Sequence, residues 1–308
     1  MSFWLLISLV LFSWRPVLAA ETDNFTYRYL QKGDAIPQLN LEIKRRLDQV
    51  INVLNLSQNI SGTCQWEELS SLLGQQLRHP FKGQIEDFIS SSPTLPKSIP
   101  DFDNSIFKNV PSLHKYPIQV GRWLGIGFTG SIHHDGLLIG ADKFGHFIDE
   151  GYYYYYLRHE WDFDFSQVLK FGEFMEYSFE GKLTGGIYSY ADLAANYDGQ
   201  QFWLDLLGSE KQQIQSKFFS CHDGIWQQLR PVDFALYVSP AWDEGMNCNE
   251  YRSSGMQEGI EKTILELESR DKKRYACPVY PERVHAMVTR YNKEHVTSLI
   301  NPGLLKIQ

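Results

Sequence analysis

Between residues 141 and 207 the chain carries three helical segments in succession, at about 141–160, 165–181 and 190–207, each with polar residues on one face. With side chains set at about 100° per residue, Asp142, His146, Asp149 and Glu150 fall within one arc of the first segment. Glu173, Glu176 and Glu180 share a stripe of the second, and Asp192 and Asn196 stack one turn apart on the third. On most amphipathic helices such a stripe is the solvated side. Here the first stripe runs on into Tyr153 and Leu157, and the second takes in Leu169 with Phe165 at its edge. Side chains that apolar do not continue a face built for water, so the pattern favours an inward-facing cluster. The expected core is three helices packed antiparallel, with acids and one imidazole converging between them. Bundle cores build metal and acid–base sites in this way.

The periodicity predicts further helices at 38–56, 64–78, 83–91, 254–273 and 280–296. The Pro/Ser-rich stretch from Ser90 to Pro100 reads as an exposed linker, and the apolar, glycine-punctuated stretch 117–140 reads as too broken for a helix. Residues 221–248 are irregular and rich in Trp, Pro and Asn. The expected fold is mainly α: a central antiparallel three-helix unit, flanking helices, and an irregular disulfide-bearing C-terminal segment. Its divisions are a signal peptide at 1–19, an N-terminal helical segment and linker at 20–100, the helical core at 101–215, and the C-terminal segment at 216–308. The run Tyr152 to Tyr156 wraps a whole helical turn, which suits core and rim better than a carbohydrate platform.

Residues 3–12 form an apolar run of signal-peptide length, too short to span a bilayer, and Val17-Leu18-Ala19 fits the small-residue cleavage pattern. Cleavage after Ala19 implies a periplasmic or extracellular protein, and no other run is apolar for long enough to cross a membrane. Losing Arg15 from 29 basic residues leaves 28 against 37 acidic ones, a net charge of −9. That balance argues against a nucleic-acid partner and against docking on an anionic membrane. The expected partner is an envelope component or a small-molecule ligand.

In an oxidising compartment Cys64, Cys221, Cys248 and Cys277 suggest two disulfides, for which three pairings are open. Cys221–Cys248 with Cys64–Cys277 is favoured, because the first pair closes a short loop. Asn24, Asn55 and Asn59 each open a glycosylation triplet, which matters only in a eukaryotic secretory pathway.

No G-x-S-x-G elbow, H-E-x-x-H, P-loop or EF-hand loop occurs. Gly125 to Gly130 fits G-x-G-x-x-G, but loop-like sequence follows it instead of a helix. His222-Asp223 reads as turn chemistry. One of His133 and His134 could fold back onto the cluster, although loop histidines sit at the surface by default. Two readings of the cluster remain open. In one, His146, Asp142, Glu176, Glu180 and Asp192 hold a divalent metal (Zn, Mn or Fe) for a hydrolase, with His146, Asp142 and Glu150 at the chemistry. In the other, Asp142–His146 and Asp192–Asn196, with Ser189 capping the third helix, form a buried polar network that fixes helix register. The network is placed first, because the cluster holds one histidine and no signature tied to a reaction. The surrounding carboxylates are expected to raise the His146 pKa.

Asp142-Lys-Phe-Gly-His146-Phe147 resembles the D-K-x-x-H-F helix of VanZ-like proteins and of a family of predicted bacterial periplasmic lipoproteins. The run Ser189-Tyr-Ala-Asp192-Leu193-Ala-Ala-Asn196-Tyr-Asp-Gly199 is similar to the later S-x-x-D-L-x-A-N-x-x-G of the lipoprotein family. The two cover about 60 of 308 residues. The resemblance implies a small helical unit at the bacterial envelope, no established reaction, and Asp142, His146, Asp192 and Asn196 as its marked residues. The lipid-bearing Cys of that family is missing here, so lipid anchoring is not carried over, nor is the link of VanZ-like proteins to glycopeptide resistance.

The first expected outcome concerns export. The intact mass of the purified protein should correspond to a chain beginning near Ala20, and reduction should add the hydrogens of four thiols. A full-length mass, or four free thiols in the native protein, would refute it.

Overall fold

The computed structural model describes residues 21–58, 63–79, 83–123 and 128–306. The expected signal segment, Asn59 and the first half of the Gly125–Gly130 motif lie outside them, as does the side chain of Glu180. The fold is mainly α, and among the described residues no helix is long and apolar enough to cross a membrane.

Helix α1 (Ile36–Gln58) buries Leu39, Ile43, Leu47, Val50 and Leu54 at three- and four-residue spacing. Helix α2 (Trp66–Leu77) packs beside it through Leu69, Leu73 and Leu77, and α3 (Gln84–Ser91) follows. The stretch after α3 is not the exposed linker expected from its prolines. Leu95 is buried, Lys97–Ser98 forms strand β2, and Lys97 Nζ donates to the carbonyls of Ile89, Ser90 and Ser92 at 2.8, 2.5 and 2.8 Å. A lysine answering the open carbonyls at a helix end turns the segment into a packed strap.

The stretch 117–140 also differs from expectation. It contributes to helix α4 (Ser112–Trp123) and to the hairpin Ser131–His134 and Leu137–Gly140, here β4 and β5, after the short strand β3 (Phe128–Thr129). The hairpin turn uses positive φ at Asp135 (46°) and Gly136 (75°), the conformation that two-residue hairpin turns require. Strand β2 pairs with the open edge of β4, and β1 (Glu21–Thr22) pairs in parallel with β3.

The central helices come as expected. Helix α5 spans 142–159: an α-turn Asp142–Gly145, a π-turn His146–Glu150, then Gly151–His159. Helix α6 spans 165–180 and also ends in a π-turn, Glu176–Glu180, while α7 is Tyr190–Leu207. Lys143 meets Asp192, His146 meets Asn196 and Tyr155 reaches Gly208, so α5 and α7 run in the same direction. Phe165 packs on Tyr197 and Glu176 reaches Ser189, so α6 runs the other way. The unit is up–down–up, with consecutive helices antiparallel.

Helix α7 is buried on nearly every face, and its polar side chains find partners inside. Asp198 accepts from Trp242 Nε1 (2.8 Å) and Tyr291 Oη (3.0 Å), Asp205 from Tyr237 Oη (2.9 Å), and Gln200 meets His159 (2.7 Å). Those satisfied groups let a polar helix serve as the axis of the core.

Strand β6 (Ile187–Tyr188) leads into α7. The C-terminal part holds the hairpin β7 (Phe219–His222) and β8 (Ile225–Gln228), closed by left-handed Asp223 and Gly224 as the turn reading of His222-Asp223 anticipated. Helix α8 (Ser254–Asp271) matches expectation, but the helix expected at 280–296 breaks into a short turn, α9 (Val284–Thr289) and α10 (Val296–Leu299).

The disulfide pairing expected from loop length is overturned: the bridges are Cys64–Cys221 and Cys248–Cys277. The lead into α2 lies against the β7–β8 hairpin, where Trp66 meets Trp226 edge-on at 4.7 Å, so Cys64 finds Cys221 across 157 residues. Asn24 is fully buried, and Asn55 exchanges two hydrogen bonds with the Trp226 backbone, so both triplets are spent on folding.

Helices α5 and α7 cross at two glycines. A Cβ on Gly199 would lie 2.0 Å from the Phe147 carbonyl oxygen, whereas one on Gly74 of α2 meets nothing within 4 Å. Gly199→Ala should therefore destabilise by about 2–3 kcal/mol or more through overpacking. Gly74→Ala should be neutral or stabilise by up to about 1 kcal/mol through helix propensity. Denaturant unfolding of the two variants checks the contrast.

A buried charge cluster as the candidate functional site

Strand β5 is buried along its whole length and delivers the chain into α5 with no exposed turn between them. The first turn of α5 therefore opens inside the protein, and Asp142 and Lys143 are buried with it. The Lys143 side chain is wholly out of solvent. Its ammonium lies 2.7 Å from Asp142 Oδ2 and 2.6 Å from Glu244 Oε1, and it also pairs with Asp192 Oδ1. Asp192 sits in the first turn of α7, whose N-cap is Ser189. Glu244 comes from the turn after Trp242, where Asn249 Nδ2 donates to its other oxygen at 2.9 Å.

His146 lies one turn along α5. Its Nε2 is 3.3 Å from Asp192 Oδ2, and its Nδ1 is 3.2 Å from Asn196 Oδ1 and 3.7 Å from Glu150 Oε2. Burial and the Lys143 charge push the His146 pKa down to about 4, so the ring is neutral at physiological pH. The rise expected from the nearby acids does not occur. The lysine that neutralises those acids also repels a second cation. Burial pushes Asp142 and Asp192 up to about 6, with the Lys143 ammonium pulling the other way. Burial and the charges of Glu244 and Asp192 also hold the Glu21 carboxyl well above the usual carboxylate range. The cluster thus holds more acid than permanent positive charge, and Asp142, Asp192 and Glu21 retain protons unusually well.

Of the residues singled out by sequence, the fold brings together Asp142, His146, Glu150, Ser189, Asp192 and Asn196. Glu176 reaches the start of α7, its Oε1 accepting from the Ser189 backbone N–H at 2.8 Å. Asp149 faces the other side of α5, where it accepts from the His79 backbone N–H at 3.1 Å. His133 and His134 stay on β4 beside Arg28 and Lys32, away from the cluster, and His134 pairs with Asp34. Lys143 and Glu244 were missed. Lys143 stood inside the quoted D-K-x-x-H-F run, and a lysine directly after an apolar stretch was the one signal for it. Glu244 lies in irregular sequence with no periodicity to mark it.

Asp142, Asp192 and Glu244 each offer an oxygen, all within 4.8 Å of one another, a spacing that suits a small cation as well as an ammonium. Glu244 also fronts a groove of about 690 Å³ lined by Phe25, Tyr251, Ile260 and Cys277, so the cluster has one route toward the surface. Compared with family models, curated proteins and solved structures, the chain matches none.

Asp149 provides a pH test of the buried acids. Burial pushes its pKa up to about 7, with Arg78 and the His79 N–H pulling it back. A raised folded pKa means that the native state holds the proton more tightly. The associated stabilisation is full below the unfolded value of 3.8 and is lost as pH rises through about 7. Asp149→Asn keeps an acceptor for His79 without the ionisation. Its melting temperature relative to the parent should rise by a few degrees between pH 5 and pH 8. A difference independent of pH would show that Asp149 titrates normally.

Proposed function

We propose that this protein is an exported, disulfide-bonded globular component of the cell envelope, and that its Asp/Lys/His/Glu cluster locks the central helices in register instead of carrying out a reaction. The position of Lys143 Nζ carries this reading, since it fills the point on which Asp142, Asp192 and Glu244 converge. A buried ammonium so surrounded is neutralised by the fold itself. Removing one partner of a buried charge pair typically costs about 3–5 kcal/mol, which makes such a cluster an effective lock on the elements that supply it. The envelope assignment rests on the signal-like N-terminal run, the two disulfides and the resemblance in α5 and α7.

One observation favours a second reading, a metal-assisted hydrolase. Three carboxylates converge within 4.8 Å, and one of them fronts a groove. All-oxygen donors suit Mn²⁺ best among the transition ions expected from sequence, and a neutral His146 stands ready as a further ligand. There the cation would polarise a bound water or substrate oxygen, with Glu150 beside His146 as a proton acceptor.

Metal content and unfolding of three variants separate the two readings. For the lock, the protein purifies without stoichiometric metal, Lys143→Met loses about 3 kcal/mol or more, and Lys143→Met with Glu244→Gln recovers part of that loss. His146→Ala costs about 1–3 kcal/mol, because it leaves buried acceptors unpaired. For the hydrolase, the protein carries one metal per chain and His146→Ala lowers its occupancy. A metal-free protein whose Lys143→Met variant is as stable as the parent would end both.

A further inference from the structure

Helix α2, helix α5 and the segment from Gly208 through β7 enclose a second and larger groove, of about 1020 Å³, away from the charge cluster. Its aromatic side carries Trp66 from the first turn of α2 and Tyr152 and Tyr156 from α5. The two tyrosines are one helical turn apart, with rings inclined by only 25° and centroids 6.2 Å apart. Tyr155 forms part of the lining, its hydroxyl committed to the Gly208 carbonyl at 2.9 Å. The facing side brings polar groups from Ser209, Glu210, Gln213, Gln215 and Ser220, with Ile214 and Phe219 between them. Ser220 Oγ is buried in that lining without a protein partner, although a buried hydroxyl normally has one.

We propose that this groove binds a short, uncharged oligosaccharide. A pyranose ring has a C–H face that packs on an aromatic face and a rim of hydroxyls that both donate and accept. The groove offers aromatic rings on one side and amide, carboxylate and hydroxyl groups on the other. A purely apolar ligand would strand the polar side. A polyanionic one would meet Glu67, Glu160 and Glu210, while the lining lysine, Lys211, already has its ammonium engaged by the Glu160 carbonyl and by Asp162. The volume is at the upper end of small-molecule sites and suits two or three sugar rings. The site is also held in place before any ligand arrives. Cys64–Cys221 ties the lead of α2 to β7, Trp66 packs edge-on against Trp226, and the Arg78 guanidinium lies 3.9 Å over the Tyr152 ring. Such preorganisation lowers the ordering cost of binding.

The tyrosine run thus divides in two. Tyr154 and Tyr155 are core and Tyr156 is rim, as the sequence suggested, but the rim becomes a platform where α2 and the 208–222 segment meet it.

The test uses the full disulfide-bonded chain and a panel of neutral trisaccharides (chito-, cello-, malto- and mannotriose), followed by calorimetry and by saturation transfer to the sugar protons. At least one should saturate with a dissociation constant between about 10 µM and 1 mM, an ordinary range for weak, specific binding. Tyr156→Ala should weaken it at least tenfold and Tyr156→Phe should retain it. Ser220→Ala should weaken it several-fold. Thermal melts establish that each variant is folded. Tyr156 is 37% exposed, so its truncation leaves the core intact. Absence of saturation by every trisaccharide at about 10 mM, binding indifferent to Tyr156→Ala, or selective binding of short peptides instead would each overturn the proposal. None of these readouts depends on Lys143, so the outcome is independent of the charge-lock reading.

Discussion

An ammonium group cannot be left alone in a protein interior. Lys143 is wholly buried, and removing such a charge from water costs several kcal/mol unless opposite charge meets it at contact distance. The fold meets that demand with carboxylates from three separate places: Asp142 beside it, Asp192 at the start of α7, and Glu244 in the C-terminal segment. Placing those three groups fixes the join of β5 to α5, the height of α7 against α5, and the path of the chain after Trp242. The turn that carries Glu244 is held on its other side as well. Its neighbour Asp243 forms a bidentate pair with the buried Arg28 and accepts from the Leu138 backbone N–H at 3.0 Å. Two adjacent acids thus face two buried cations from opposite sides.

The contact between α5 and α7 is close because it is built on glycines. Gly151 and Gly199 bring the two backbones together where no Cβ fits, one turn beyond the pair His146–Asn196. The π-turn of α5 spans His146 to Glu150, the stretch that turns one side chain toward the cluster and the next polar one, Asp149, toward Arg78 and His79. Such wide turns inside α-helices recur at functional sites. Here the π-turn separates two buried acids that an unbroken stripe would have grouped together.

The molecule accordingly separates two kinds of chemistry. Around Lys143, satisfied charges favour rigidity, and His146 is kept neutral by burial and by the lysine. Between α2, α5 and β7, aromatic faces stand opposite polar groups that retain hydrogen-bonding capacity. The first arrangement suits holding helices in place, and the second suits holding a ligand. Tyr152 stands nearest to linking them, since its ring packs on Trp203 of the core while it lines the groove.

The helices were largely legible in the sequence, because a 3.6-residue apolar repeat is a local property. It located α1, α2, α3, α5, α6, α7 and α8. The inward turn of the cluster was legible too, since stripes that run from Asp142 into Leu157 cannot face water throughout. Asp142, His146, Asp192 and Asn196 followed from those stripes. The short strands β4 and β5 and the break between α9 and α10 did not, because runs this short carry little period and depend on what they pack against. Loop length pointed to Cys221–Cys248, whereas the bridges follow which surfaces pack together. The centre of the site was hidden for the same reason. Lys143 reads as an ordinary polar residue until burial makes its charge costly, and Glu244 reads as loop until it meets that charge. Local sequence determined which residues could form helices and which faces they would bury. Only the tertiary structure, through desolvation and contacts across a hundred residues, decided that a lysine would stand where the acids converge.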